Sequence, residues 1–213
     1  VPAEKIVFEI GSISKAFTGL LLAQSVLEKK VRFDSTLREL LGKTQNYADA
    51  RVGQITLLQL VTHTSGLPRL ADNHAAFADP ADLYTKYDRA ALSQYLEKAK
   101  LEGEGPYLES YSNLGMGLLG DMLARVHGRS WEELVRERIT VVPLGMSDTT
   151  VTLSAEQAVR FIQPYAGGEK NSHGPSRRWL ARAHCVPPRA TCSSLVVHYF
   201  TRRRRHSHRP SNC

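Results

Sequence analysis

The sequence predicts an α+β domain in which helices dominate. Three observations lead there. Apolar residues recur at three- and four-residue spacing through several separate stretches, the pattern of a helix with one buried face. Extended runs are few and short, and no internal repeat is present. Hydrophobic residues make up 42% of the 213 positions, enough for one sizeable core.

Each element follows in order. Ser14 to about Lys30 reads as a helix with Phe17, Leu20, Leu21, Leu22, Val26 and Leu27 as its apolar positions and Lys29–Lys30 closing it. Residues 31–41 give a short extended piece, then a turn capped by Asp34 or Ser35. ITLLQLVTH (55–63) is a short helix, ended by a turn in which Gly66 and Pro68 are breakers. DRAALSQYLEKAK (88–100) is amphipathic. SNLGMGLLGDMLARVH (112–127) continues as a helix through Gly115, Gly117 and Gly120. Glycine costs a helix about 1 kcal/mol against alanine, so these positions imply close packing against another element. SWEELVRERI (130–139) opens on a capping box, Ser130 with Glu133, directly after the stop at Gly128. VVPLGMSDT and SAEQAVRFIQPY complete the ordered part.

The net charge of +7 is unevenly placed. Residues 172–213 hold nine arginines, five of the eight histidines and all three cysteines (Cys185, Cys192, Cys213), with no Asp, Glu or Lys. That leaves 19 basic against 21 acidic side chains in residues 1–171, a net of −2. RRRRHSHR (202–209) lacks the interleaved aromatics and helical pattern of a nucleic-acid binder, so no nucleic-acid partner is expected. No apolar run has the length of a membrane span. No His/Cys cluster in 1–171 has metal-ligand spacing, and no glycine-rich loop follows a strand as phosphate cradles require, so neither metal nor other cofactor is expected. Val1 stands where a start methionine is usual, which predicts an incomplete N-terminus.

Chemistry concentrates at FEIGSISKAFTG (8–19), where a glycine-led turn runs into a helix. Residues three apart share one helix face, so Ser12 and Lys15 lie within hydrogen-bond reach. A serine hydroxyl is a poor nucleophile until a neighbour takes its proton. A helix start also offers free N–H groups to a developing oxyanion. This junction is therefore either a nucleophile with its base or a helix start with an incidental lysine. Ser14 points off that face and reads as a local hydrogen-bonder; His63 reads as the brace of a turn. YSN at 111–113 adds a phenol and an amide at the start of the glycine-rich helix; alone, they read equally as an aromatic beneath a turn and a helix cap.

FEIGSISKAFTG, LLQLVTHTSGLP, YSNLGMGLLG and PLGMSDT, in that order, resemble the serine β-lactamase and penicillin-binding-protein superfamily. The branch is that of class C β-lactamases, D,D-peptidases and β-lactamase-like esterases. The resemblance covers about residues 4–165 and implies a β-lactamase/transpeptidase-like α+β fold, here mainly its helical region with an incomplete sheet. It implies that Ser12 forms an acyl-enzyme with a β-lactam, peptide or ester, and that Lys15 holds Ser12 and shares its proton. Tyr111 then relays protons to and from the leaving group, Asn113 bonds the substrate amide and Lys15, and the Ser12 N–H forms half of an oxyanion hole. A periplasmic or secreted origin is a further implication.

One family motif is absent: no Lys-Thr-Gly or His-x-Gly occurs anywhere in the 213 residues. Hence two functions are expected, an active serine hydrolase or a catalytically dead, penicillin-binding remnant. Permitted codons for residues 179–195, read one frame over, encode AGAGALRSTARDMFKF, similar to a Gly-Leu-Arg-Ser-Thr-Ala-x-Asp-Met segment of the family. The expected organisation is therefore a partial domain over 1–170 and a basic, irregular, out-of-frame tail over 171–213.

Overall fold

The structure is a computed structural model that describes Pro2, residues 5–77 and 87–162, and the backbone of 165–166, 169–170 and 196–198. A short strand β1 (Val7–Glu9) leads through a 3-10 turn (Gly11–Ile13) into α1 (Ser14–Leu27). Then come α2 (Leu37–Leu41), α3 (Ala50–Gly53), α4 (Leu57–Val61), a 3-10 turn (Asp72–Phe77) and α5 (Arg89–Lys98). The second half contributes α6 (Asn113–His127), α7 (Trp131–Val135), a π-helical turn (Arg136–Thr140), α8 (Val141–Leu144) and α9 (Ala155–Arg160). Helices dominate, as expected.

The central element is α6. Every residue from Leu114 to Ala124 is buried, and α1, α2, α4 and α7 all pack on it. Gly120 serves that packing, since a Cβ there would lie 3.2 Å from Trp131 Cδ1 of α7; one at Gly115 would first meet the helix's own cap, 3.3 Å from Ser112 Oγ, and then Leu60 of α4 at 3.6 Å. Gly128, at φ +63°, ends the helix in the left-handed conformation.

The burial of α1 differs from its apolar pattern. Its buried residues are Ser14, Thr18, Leu21, Leu22 and Ser25, whereas Leu20 is 51% and Leu27 82% exposed. Small hydroxyl residues admit close neighbours, and hydrogen bonding makes their burial tolerable. Thr18 Oγ1 accepts from Trp131 Nε1 at 3.0 Å, and Ser25 Oγ donates to the Leu21 carbonyl at 2.7 Å.

The cap of α2 is Thr36, not Asp34 or Ser35. Asp34 is drawn to Arg32 Nε at 2.8 Å, and Ser35 Oγ accepts from the Arg32 N–H at 3.0 Å. Thr36 forms a capping box with Glu39, and Thr56 forms the same box with Gln59 at α4. The two caps pair as an isolated antiparallel bridge, so these short helices start side by side and neither relies on its own propensity.

Among the described residues the strands form two separate pairs. β1 pairs antiparallel with β4 (Val196–His198), with Phe8 opposite Val197, and β2 (Tyr165–Ala166) pairs with β3 (Glu169–Lys170). β4 is an exception to the irregular chain expected of the tail, and its two adjacent valines favour an extended backbone. The rest of 171–213, with its out-of-frame reading, lies outside the described residues. Among the described residues, no helix is long and apolar enough to cross a membrane.

Candidate active site

Gly11 adopts φ +51°, a left-handed conformation that suits glycine. It turns the chain out of β1 and sets Ser12 on the 3-10 turn before α1. Ser14 Oγ donates to the Gly11 carbonyl at 2.7 Å and tightens that turn, the local role expected of it. Lys15, one residue into α1, donates from Nζ to Ser12 Oγ at 3.1 Å.

The second half of the cluster comes from the start of α6. Ser112 is the N-cap: its Oγ accepts from the Gly115 N–H at 2.9 Å and donates to the Pro68 carbonyl at 2.6 Å. The Arg69 carbonyl accepts from the N–H groups of Asn113 (3.0 Å) and Leu114 (3.2 Å). Residues 68–69 thus hold the first turn of α6 through their main chain. Tyr111, immediately before the cap, is 38% exposed, and its phenol donates to Ser12 Oγ at 2.6 Å.

Ser12, Lys15 and Tyr111, spread over 99 residues of chain, meet at one oxygen. Asn113 stands half-buried in the first turn of α6, two residues beyond Tyr111. His63 braces the assembly. At φ +60° its carbonyl accepts from the Ser110 N–H at 2.8 Å and its Nδ1 from the Ser112 N–H at 3.1 Å. Its ring lies against Tyr111, with centroids 4.8 Å apart.

Electrostatics favour an ionisable phenol. Burial by itself would raise Tyr111. Its hydrogen bonds to Lys15 and Ser12, with the charges of Lys15 and Arg69, outweigh that and hold the phenol below its usual range. Lys15 Nζ lies 4.8 Å and Arg69 Cζ 5.1 Å from the ring centroid. Burial first, then the Lys15 charge, lowers the His63 pKa, with Glu109 opposing. The imidazole is accordingly suited to its neutral form, with Nδ1 as acceptor.

Sequence reasoning missed Arg69. It follows a breaker turn in an unpatterned stretch, and no local signal ties it to a tyrosine 42 positions away.

A Ser-x-x-Lys helix start facing a Tyr-Ser-Asn turn, on this helix-rich α+β fold, defines the serine β-lactamase and penicillin-binding-protein superfamily. The Beta-lactamase family model matches residues 3–198, and the chain belongs to that family. The D-alanyl-D-alanine-carboxypeptidase/endopeptidase AmpH of Escherichia coli K12 is 34% identical over 188 residues, 82% of this chain and 48% of that protein. A Providencia stuartii beta-lactamase is 28% identical over 76% of this chain and 38% of its own length. Among solved structures, the beta-lactamase/D-alanine carboxypeptidase from Yersinia pestis, complexed with citrate, superposes with a TM-score of 0.70 at 27% identity. That match covers 92% of this chain and 52% of the other. The chain therefore spans about half the length, or less, of these relatives.

Proposed function

We propose that the chain carries the nucleophile of a serine hydrolase that forms an acyl-enzyme on Ser12. Its substrates would be D-alanyl-D-alanine-type peptides, β-lactams or simple esters. The observation that carries this is the convergence of the Lys15 ammonium and the Tyr111 phenol on Ser12 Oγ. Both groups donate to that oxygen at rest, so a path for the serine proton requires one of them to become an acceptor. Tyr111 is suited to do so. Once ionised, its phenolate accepts the Ser12 proton across the same 2.6 Å contact.

Attack then proceeds by general-base catalysis. The Ser12 oxygen bonds to the carbonyl carbon as its proton passes to Tyr111. The tetrahedral oxyanion leans on the Ser12 N–H at the helix start. Tyr111 returns the proton to the leaving nitrogen or oxygen as that bond breaks, leaving the acyl group on Ser12. Water then attacks by the reverse relay and frees the acid. Lys15, with Nζ 3.1 Å from Ser12 Oγ and 4.8 Å from the Tyr111 ring centroid, stabilises the phenolate. In this scheme Asn113 bonds the substrate amide.

The test uses a chromogenic cephalosporin and a p-nitrophenyl ester on the whole chain and on Ser12→Ala. Turnover confined to the Ser12 protein supports the proposal, and equal turnover in both overturns it. A second reading is acylation without turnover, since among the described residues only the Ser12 N–H is assigned to the oxyanion. Loss of one oxyanion donor alone costs about 10²–10³ in rate. That reading predicts a burst of one equivalent of nitrophenol and a persistent acyl mass on Ser12.

A further inference from the structure

We infer that a cleft beside the Ser12 cluster, between the end of α5 and residues 66–70 and 107–110, is a second binding site that takes a neutral saccharide. The inference stands apart from the Ser12 reading, because Ser12, Lys15 and Tyr111 do not border this cleft.

The cleft holds about 640 Å³, the size of a small-molecule site. Pro68 and Leu70 border it, while Arg69 between them turns to Tyr111. Ser110 borders it, while the next residue reaches Ser12. The two sites therefore use opposite sides of the same stretches of chain.

Three features of the lining point to the ligand. Tyr95 is only 6% exposed, and its hydroxyl has no hydrogen-bond partner among the described residues. That hydroxyl is not sealed in the core, and the surface Tyr95 keeps lies on the cleft. Burial, and then the Asp72 charge, push the phenol up to about 12, so it stays a donor in want of an acceptor. Secondly, the half-buried Tyr107 ring stands over Gly66, where a Cβ would lie 2.9 Å from it, and offers an aromatic face to the cleft.

Thirdly, the charges at the cleft are balanced and unspent. Lys98 and Lys100 face Asp72 and Glu102 across the same lining, all four exposed and none in an ion pair among the described residues. An anion would meet two carboxylates there, and a cation two ammonium groups. A ligand whose groups both donate and accept, without net charge, satisfies all four. Each sugar hydroxyl donates one hydrogen bond and accepts others, and the C–H face of a pyranose ring can rest on the Tyr107 ring, an apolar body with a polar tip.

Calorimetric titration of the whole chain with cellotriose and maltotriose, beside the glucosamine and glucuronic acid trimers, tests this. The same titrations are run on Tyr95→Phe and Ser12→Ala. Tyr95→Phe removes a hydroxyl that no internal bond uses, so the fold is kept. At least one neutral trisaccharide is expected to bind saturably and more tightly than either charged trimer. Its affinity should fall about fivefold in Tyr95→Phe, the share of one hydrogen bond, and stay unchanged in Ser12→Ala. No saturable binding of either neutral trisaccharide, a preference for a charged trimer, or equal affinity in Tyr95→Phe overturns the inference. Loss of binding in Ser12→Ala puts the sugar in the Ser12 cluster and overturns it as well.

Discussion

Replacing His63 with alanine should destabilise the chain and misplace Tyr111 together. The Ser112 N–H donates to His63 Nδ1 at 3.1 Å, and Ser112 is only 1% exposed, so water cannot readily take over. Leaving a buried donor unsatisfied costs about 1–3 kcal/mol, and losing the tilted ring contact with Tyr111 about 0.5–1.5 kcal/mol more. Since His63 is half-exposed, the lower part of the combined range applies, about 1.5–3 kcal/mol. Acid should mimic the mutation. Protonation puts a hydrogen on Nδ1 and turns the acceptor into a second donor facing Ser112. Because the folded pKa lies below the unfolded value near 6.5, the unfolded chain binds the proton first. The His63 contribution is therefore complete above about pH 6.5 and is lost as pH falls through the folded pKa. His63→Asn should recover most of the stability, since asparagine places an oxygen near the Nδ1 position and tolerates the left-handed backbone. Urea unfolding of the three proteins from pH 8 to 5, with Ser12 acylation followed in parallel, reads both effects. Wild-type stability in His63→Ala, or an acid limb unchanged by the asparagine, would refute the reasoning.

Three further outcomes follow from other parts of the molecule. Tyr111→Phe should slow acylation of Ser12 by about 10²–10⁴, the usual share of general acid–base catalysis. It should also abolish the rise in rate that accompanies ionisation of a phenol held below its usual range; stopped-flow acylation against pH checks both. Asp121 is fully buried and binds Arg89 Nε at 2.5 Å and Arg125 Nε at 2.7 Å. Asp121→Asn should cost about 2–3 kcal/mol in denaturant unfolding, below the usual 3–5 kcal/mol for a broken buried pair, because both arginines reach solvent. Gly120→Ala should cost about 1–3 kcal/mol by forcing Trp131 away, and a shift in tryptophan emission should accompany the loss.

The sequence and the structure agree best where a local rule suffices. The Ser12–Lys15 contact follows from helical spacing, the α7 start from its capping box, and Gly120 of α6 from its cost in any loosely packed helix. Tyr111 is different. Nothing local joins a phenol to a serine 99 residues away, and only the resemblance of ordered motifs brought them into one site. The apolar pattern of α1 finds Leu21 and Leu22 in the core and Phe17 and Val26 against it, but hydrophobicity alone cannot distinguish a hydroxyl that finds a partner from one that does not; Thr18 and Ser25 find theirs through Trp131 and His127. At α2, three consecutive residues could each have capped the helix. The choice fell to Thr36 because its extended backbone is paired with that of Thr56. Arg69 left no trace in the pattern, since its stacking partner arrives only through tertiary packing.

The grip of residues 68–69 on α6 uses carbonyl oxygens, which every amino acid supplies in the same form. The reacting atoms thus owe their alignment to parts of the chain that mutation leaves largely unaltered, while the outward group at position 69 owes nothing to that duty. Exchange at position 69 can therefore alter the surroundings of Tyr111 without loosening the start of α6.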